Sequence, residues 1–206
     1  MDWKLFLYLN DLLVDHPYLA DAIEDFSSWS VPILAVATLG LWLFGRPGTP
    51  SRWKLATATA LASAGVALAV NQAIALLWVR ERPTAAHPDA HLFFVAPSGD
   101  PSFPSDHAGA AFAIAFAVLF LSRRAGLGFL VAAAAIGLSR VMIGLHYPGD
   151  IAAGAVVGLG SAALIHAVGR PPLRAAVALV SRLTDPLTRP LWRLLDRTIA
   201  GSARRT

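Results

Sequence analysis

The chain has 206 residues, 56% of them hydrophobic and 15% charged, with a mean hydropathy of +0.57. That is too oily for an ordinary water-soluble domain, and the absence of cysteine excludes disulfides, thiolate metal sites and a thiolate nucleophile. The net charge of +4 and pI of about 10.1 come from arginines placed between and after apolar stretches, so they call for a membrane partner and no nucleic acid.

Within residues 1–28, Leu5, Phe6, Leu9, Leu12 and Leu13 fall at helical spacing with Asp2, Asp11 and Asp15 between them. This predicts an amphipathic helix lying in the membrane interface. It has neither the basic start nor the small-residue cleavage site of a signal peptide. A bilayer core takes about 20 apolar residues per helix, and on that measure five spans follow, at roughly 29–45, 54–78, 106–122, 125–143 and 150–168. Ser122-Arg123-Arg124 alone separates the third from the fourth, which forces a tight hairpin. From 173 to 198, Leu173, Val177, Val180, Leu183, Leu187, Leu191 and Leu194 recur among arginines. That pattern predicts an amphipathic tail on anionic lipid, broken into pieces by Pro186 and Pro190. The fold class is all-α: an integral-membrane helical bundle over 1–170 with a basic tail over 171–206.

Thirteen of the 17 basic residues lie in the loop at 46–54, the hairpin at 123–124 and the tail. Five spans put all of these on one side, which the positive-inside rule makes cytoplasmic. The acidic N-terminus, with six acids in its first 25 residues, goes outside. Arg80, Arg82 and Arg140 also land outside, against the rule, and each sits in or beside a polar cluster. Those clusters are Arg82-Pro83, Ser102-Phe103-Pro104-Ser105-Asp106-His107, and Ser139-Arg140 followed by His146 and Asp150. Ionisable groups bordering apolar spans carry function by default.

Helix direction brings the clusters together. The second and fourth spans run outward and end at Arg82 and Arg140; the third and fifth start inward at Ser105 and Asp150. Two helix N-termini with free N–H groups and two guanidiniums then face one anion, and a phosphoryl group could be held there without a metal or other cofactor. Ser105 reads as the N-cap of the third span. Taken singly, each feature has a plainer explanation: a snorkelling arginine, a cap, a loop histidine tied to a carboxylate. Their joint register is what those explanations leave out.

These residues resemble the three-part signature of the type 2 phosphatidic acid phosphatase superfamily. Its third part is complete from Ser139-Arg140 through His146 to Asp150, and its second stands as Pro104-Ser105-Asp106-His107, with Asp106 where glycine is usual. The first keeps Arg82-Pro83 but has Ala75 at the lysine position. Pro-Ser-Asp-His, the missing lysine and Asn71 with Gln72 make the chain similar to one branch, the bacitracin-resistance type undecaprenyl-diphosphatases. The resemblance implies His146 as the nucleophile forming a phosphohistidine, Asp150 accepting its other imidazole N–H, and His107 as general acid and then base. It further implies Arg82, Arg140 and Ser105 on the phosphate oxygens. Arg80, ahead of Asn71, is the expected substitute for the lysine, and Asp106 is expected to pair with an arginine or cap its helix.

The segment 84–101 reads as a lid whose Leu92, Phe93, Phe94 and Val95 dip into the interface; its His87, Asp89 and His91 are weak grounds for a metal site. The implied activity is hydrolysis of undecaprenyl or a similar polyprenyl diphosphate at the outer face of a bacterial plasma membrane, in recycling of the cell-wall lipid carrier, with the C-terminus cytoplasmic. Phosphatidate or phosphatidylglycerol phosphate is the alternative substrate. A lipid-binding scaffold or transporter is the alternative class, disfavoured because neither needs two histidines and a carboxylate around one anion.

Overall fold

The computed structural model describes residues 2–49, 51–94 and 99–203, with side chains described as far as residue 197. Every regular element among the described residues is helical. Helix α1 (Asp2–Asp11) precedes α2 (Pro17–Gly40), which tightens into a 3₁₀ turn at Leu41–Phe44. Then come α3 (Arg52–Leu77), the single turn α4 (Pro83–Ala86), α5 (Asp106–Leu119), α6 (Arg123–Met142) and α7 (Pro148–Leu164). A π-helical turn at Ile165–Gly169 leads into α8 (Arg170–Ala203). Pro17, Pro83 and Pro148 each open a helix, where a missing N–H costs nothing. Ser51 and Ser105 cap α3 and α5 by accepting from Trp53 N at 3.2 Å and Ala108 N at 3.4 Å.

Helix α5 is the hub, packed on α3, α6 and α7. Its buried face is almost all alanine and glycine, from Ala108 to Ala117, so backbones can approach closely. On α7 the partners are Gly154 and Gly158. A Cβ on Gly158 would meet Ala113 N at 2.7 Å and Gly109 O at 2.8 Å, and one on Gly154 would meet Ser105 O at 2.8 Å. This contact brings the N-termini of α5 and α7, and so His107 and Asp150, to one end of the bundle. Gly158→Val is therefore expected to lower stability by about 1–3 kcal/mol and activity with it; the melting temperature in detergent checks this.

Among the described residues, four helices are long and apolar enough to cross a membrane: Pro17–Phe44, Arg52–Leu77, Arg123–Met142 and the stretch beginning at Pro148. The expected span at 106–122 is the shorter helix Asp106–Leu119, 14 residues. At 1.5 Å per residue that is roughly 21 Å, less than a bilayer core of about 30 Å, and α5 is instead sheltered by its neighbours. The expected first span, 29–45, starts too late. Pro17 opens the helix, Asp21, Glu24 and Asp25 ride on its early turns, and Pro32 lies inside it without ending it.

Two expectations about the ends are corrected. The N-terminal helix stops at Asp11, and α1 buries Phe6 and Asn10 in the protein. Asn10 Nδ2 donates to His91 O at 2.9 Å and Met142 O at 2.8 Å, and its Oδ1 accepts from His91 N at 2.8 Å. The tail is not in pieces, because α8 runs through Pro186 and Pro190. Four residues apart, the two prolines place both interruptions on one side of the helix. Arg204 and Arg205 lie outside the described residues. Helix α8 is tied to the 3₁₀ turn, the α2–α3 loop and the start of α3: buried Lys54 of α3 pairs with Asp185, Gly48 N in the loop donates to Asp185 at 2.7 Å, and Trp42 Nε1 in the turn donates to Thr184 Oγ1 at 3.1 Å.

Candidate active site

The end of the bundle where α5 and α7 begin holds a cavity of about 340 Å³. Its walls include His107 and Asp106 from α5, Arg140 from α6, Asn71, Gln72 and Ala75 from α3, and Arg82, Asp100 and His146 from the connecting segments. All three sequence clusters thus meet in one place.

His146 is 4% exposed, and its Nδ1 lies 2.8 Å from Ser102 O. A carbonyl only accepts, so Nδ1 carries the proton and Nε2 of the neutral ring carries the lone pair. Asp150, expected to take that N–H, is 3.8 Å from Nδ1 and does not bond it directly. Its Oδ2 accepts from Ser102 Oγ at 2.5 Å and from Tyr147 N at 2.9 Å. Asp150 therefore reaches the imidazole through Ser102. Burial, together with the Arg140 and Arg82 charges, holds the His146 imidazolium below its ordinary pKa range, against the opposing pull of Asp150.

The two cavity arginines differ. Each nitrogen of Arg82 donates one bond, from Nε to Asp100 O, from NH1 to Leu145 O and from NH2 to Asp100 Oδ2, each at 3.1 Å. The Asp100 side chain is 60% exposed, so it can swing into water and yield its edge of the guanidinium. Arg140 is 5% exposed, donates from NH1 to Ser27 Oγ at 3.0 Å, and leaves its Nε buried without a partner. Among the described residues no carboxylate lies within ion-pair distance of it. A buried cation so placed calls for an anion.

The structure does not bring Arg80 to the cavity. Its NH1 bonds Asp150 Oδ1 at 2.6 Å, its NH2 bonds Asp2 Oδ2 at 2.8 Å, and its guanidinium lies 3.8 Å over the Tyr147 ring. Burial opposes the charge, yet bonding to Asp2 and attraction to Asp150 carry the Arg80 pKa above its usual value. Asn71 lines the cavity, but its Nδ2 is taken by Ser105 O at 3.2 Å and Asp106 Oδ1 at 3.0 Å. Gln72 Nε2 holds the other oxygen of Asp106 at 2.7 Å. Asp106 is thus paired with two amides rather than with an arginine, and Ala75 leaves its side of the cavity apolar. Ser105 is fully buried, its hydroxyl occupied as the α5 cap, away from the cavity wall.

The lid expectation also changes. Phe93 and Phe94 pack on Leu13, Ala20, Ile143 and Leu145 rather than dipping into lipid, and Phe94 lines the cavity. Val95 lies outside the described residues. His87 stacks on Trp3 at 3.8 Å. The sequence alone gives Ser102, Asp2 and Asp100 no role in the site. Ser102 lies inside a polar cluster, whereas nothing in the chain marks Asp2, whose Oδ1 accepts from Gly149 N at 2.8 Å, as a partner of a site 147 residues on.

The chain belongs to the PAP2 superfamily, whose family model matches residues 53–171, from the start of α3 to the start of α8. It is a membrane phosphatase of that family. Undecaprenyl-diphosphatase BcrC of Bacillus subtilis (strain 168) is 31% identical over 159 residues, covering 77% of this chain and 79% of the relative. Decaprenylphosphoryl-5-phosphoribose phosphatase of Mycobacterium tuberculosis (strain ATCC 25618 / H37Rv) is 31% identical over 161 residues, covering 76% and 84%. The crystal structure of Aquifex aeolicus LpxE shares the fold, with a TM-score of 0.64 at 22% identity over 79% of this chain and 92% of that one.

Proposed function

We propose that the protein hydrolyses a polyprenyl diphosphate, undecaprenyl diphosphate foremost, to the monophosphate on the extracytoplasmic face, with His146 as nucleophile. The observation that carries this reading is Arg140, a buried guanidinium with no carboxylate partner among the described residues, sharing a small cavity with His146 and His107. The diphosphatase named among its relatives supports the substrate class, and the basic residues at the far end of the bundle support the orientation.

In this mechanism Nε2 of His146 attacks the terminal phosphorus and the bond to the bridging oxygen breaks. His107 gives its proton to that oxygen as the lipid monophosphate leaves. Water, deprotonated by His107, then attacks the phosphohistidine and releases inorganic phosphate and free His146. Arg140, and Arg82 once Asp100 turns aside, hold the non-bridging oxygens as charge moves across them. The Ser102 carbonyl keeps the proton on Nδ1. Phosphate release by the purified protein from undecaprenyl diphosphate, phosphatidate and phosphatidylglycerol phosphate tests the reading, and preference for either glycerolipid would reject it.

Arg80 and Asp2 act as positioning residues. Arg80 fixes the far oxygen of Asp150 and partly cancels its charge, while Asp2 fixes Arg80. Arg80→Gln is expected to lower kcat about tenfold with little change in KM, as for loss of one charge-assisted bond of about 1.5 kcal/mol. The sign of the pH effect follows from Asp150. Left uncompensated, it favours the His146 imidazolium, raises that pKa and moves the acid limb of kcat/KM to higher pH. Arg80→Lys should restore most of both effects; an unmoved pH limb in Arg80→Gln would reduce Arg80 to a structural tie.

A further inference from the structure

A second cavity, of about 910 Å³, lies at the opposite end of the bundle, between the α2–α3 loop, the α5–α6 turn and α8. We propose that it binds the phosphate headgroup of one anionic phospholipid, apart from the substrate and independently of which lipid is hydrolysed.

Five arginines line it: Arg52, Arg170, Arg174, Arg182 and Arg189. Its lone carboxylate, Asp185, is already matched by Lys54 and the Gly48 N–H. Among the described residues no carboxylate lies within ion-pair distance of any of the five. Arg170 Nε is buried without a partner. Five like charges around one cavity repel one another unless an anion joins them, and guanidinium forks match phosphate oxygens.

Positive-inside placement explains why arginines occur at this end, but not why five converge on one cavity facing a single neutralised acid. Lipid is the source that fits the remaining features. Leu55, Leu121 and Val177 give the cavity apolar walls, and its volume suits an amphiphile's head and upper chain better than a free phosphate ion. Helix α8 leaves Leu179, Leu183 and Leu187 62%, 74% and 79% exposed, as a helix lying in the interface requires. A headgroup in the cavity would hold α8 against the α2–α3 loop alongside the Lys54–Asp185 pair at its wall.

Native mass spectrometry of the full chain in detergent tests this with phosphatidylglycerol, a diester the catalytic site has no terminal phosphate to remove. The expected result is one retained phosphatidylglycerol, with phosphatidylcholine lost under the same activation. Arg174→Gln with Arg182→Gln should weaken retention at least about tenfold, the loss of two charge-assisted bonds. Arg123→Gln with Arg124→Gln, on the hairpin and outside the cavity, should leave it unchanged. Equal retention of phosphatidylcholine, equal loss in the hairpin variant, or displacement of the lipid by equimolar inorganic phosphate would each overturn the proposal. The first and third comparisons use the unmodified protein, so misfolding of the arginine variant cannot blur them.

Discussion

His146→Ala is expected to lose at least about four orders of magnitude in kcat, the scale of removing a covalent nucleophile, while substrate binding changes little. The reason is geometric. His146 is the cavity histidine whose tautomer is fixed, with Nδ1 held by Ser102 O at 2.8 Å, so Nε2 stands ready as a lone pair. Arg82 and Arg140, the proposed phosphate ligands, remain in the variant, so binding should persist. His107→Ala should cost less, about 10²- to 10⁴-fold, because a general acid assists departure without forming the new bond. Steady-state phosphate release, with KM measured alongside kcat, separates the two variants. A His146→Ala protein retaining more than a small fraction of activity would move the nucleophile elsewhere.

Asp185→Asn is expected to destabilise the protein by about 3 kcal/mol, since losing one member of a buried pair leaves an uncompensated charge. The Lys54 side chain is 1% exposed and that of Asp185 10%, so little water can replace the carboxylate. Lys54 also lies 5.7 Å from the Trp42 ring, a contact too weak to hold the ammonium alone. Gly48 N donates to one oxygen of Asp185 and Lys54 to the other; the single amide oxygen of asparagine cannot serve both, so α8 should come loose from the α2–α3 loop. Thermal unfolding in detergent and proteolysis after residue 170 read the two effects. The double variant Lys54→Met with Asp185→Leu should recover the part of the loss that comes from the unpaired charge, because it leaves no charge buried, while exposed Gly48 gives its N–H to water. Equal destabilisation in single and double variants would mean that the pair matters for packing and not for charge.

The sequence made the site legible where chemistry depends on local order. His146, Asp150 and Arg140 are within eleven residues of one another in one motif, and the direction of each span sufficed to bring Arg82 and His107 to the same end. It could not show contacts set by tertiary closure. Asp150 bonds Ser102, 48 residues away, and Arg80 turns from the cavity because Asp2, 78 residues upstream, meets it. Charge and position alone point Arg80 at phosphate, whereas in the fold two carboxylates, Asp150 and Asp2, compete for the same guanidinium.

Helix boundaries failed for a related reason. Hydropathy counts Asp21, Glu24 and Asp25 against a span, whereas Pro17 sets the start of the helix and leaves those acids on its first turns. At the other end, Pro186 and Pro190 carry a strong local signal to stop. The ties of α8 to the loop through Lys54, Trp42 and Gly48 lie beyond any local window.

The most direct test of the account is to trap the intermediate. Undecaprenyl diphosphate labelled with ³²P in its terminal phosphate is mixed with the protein, quenched in alkali within the first turnover, and the label is located by peptide mapping. The account predicts alkali-stable, acid-labile label on His146 in the unmodified protein and none in His146→Ala. Label on any other residue, or rapid turnover through full activity in His146→Ala, would contradict it.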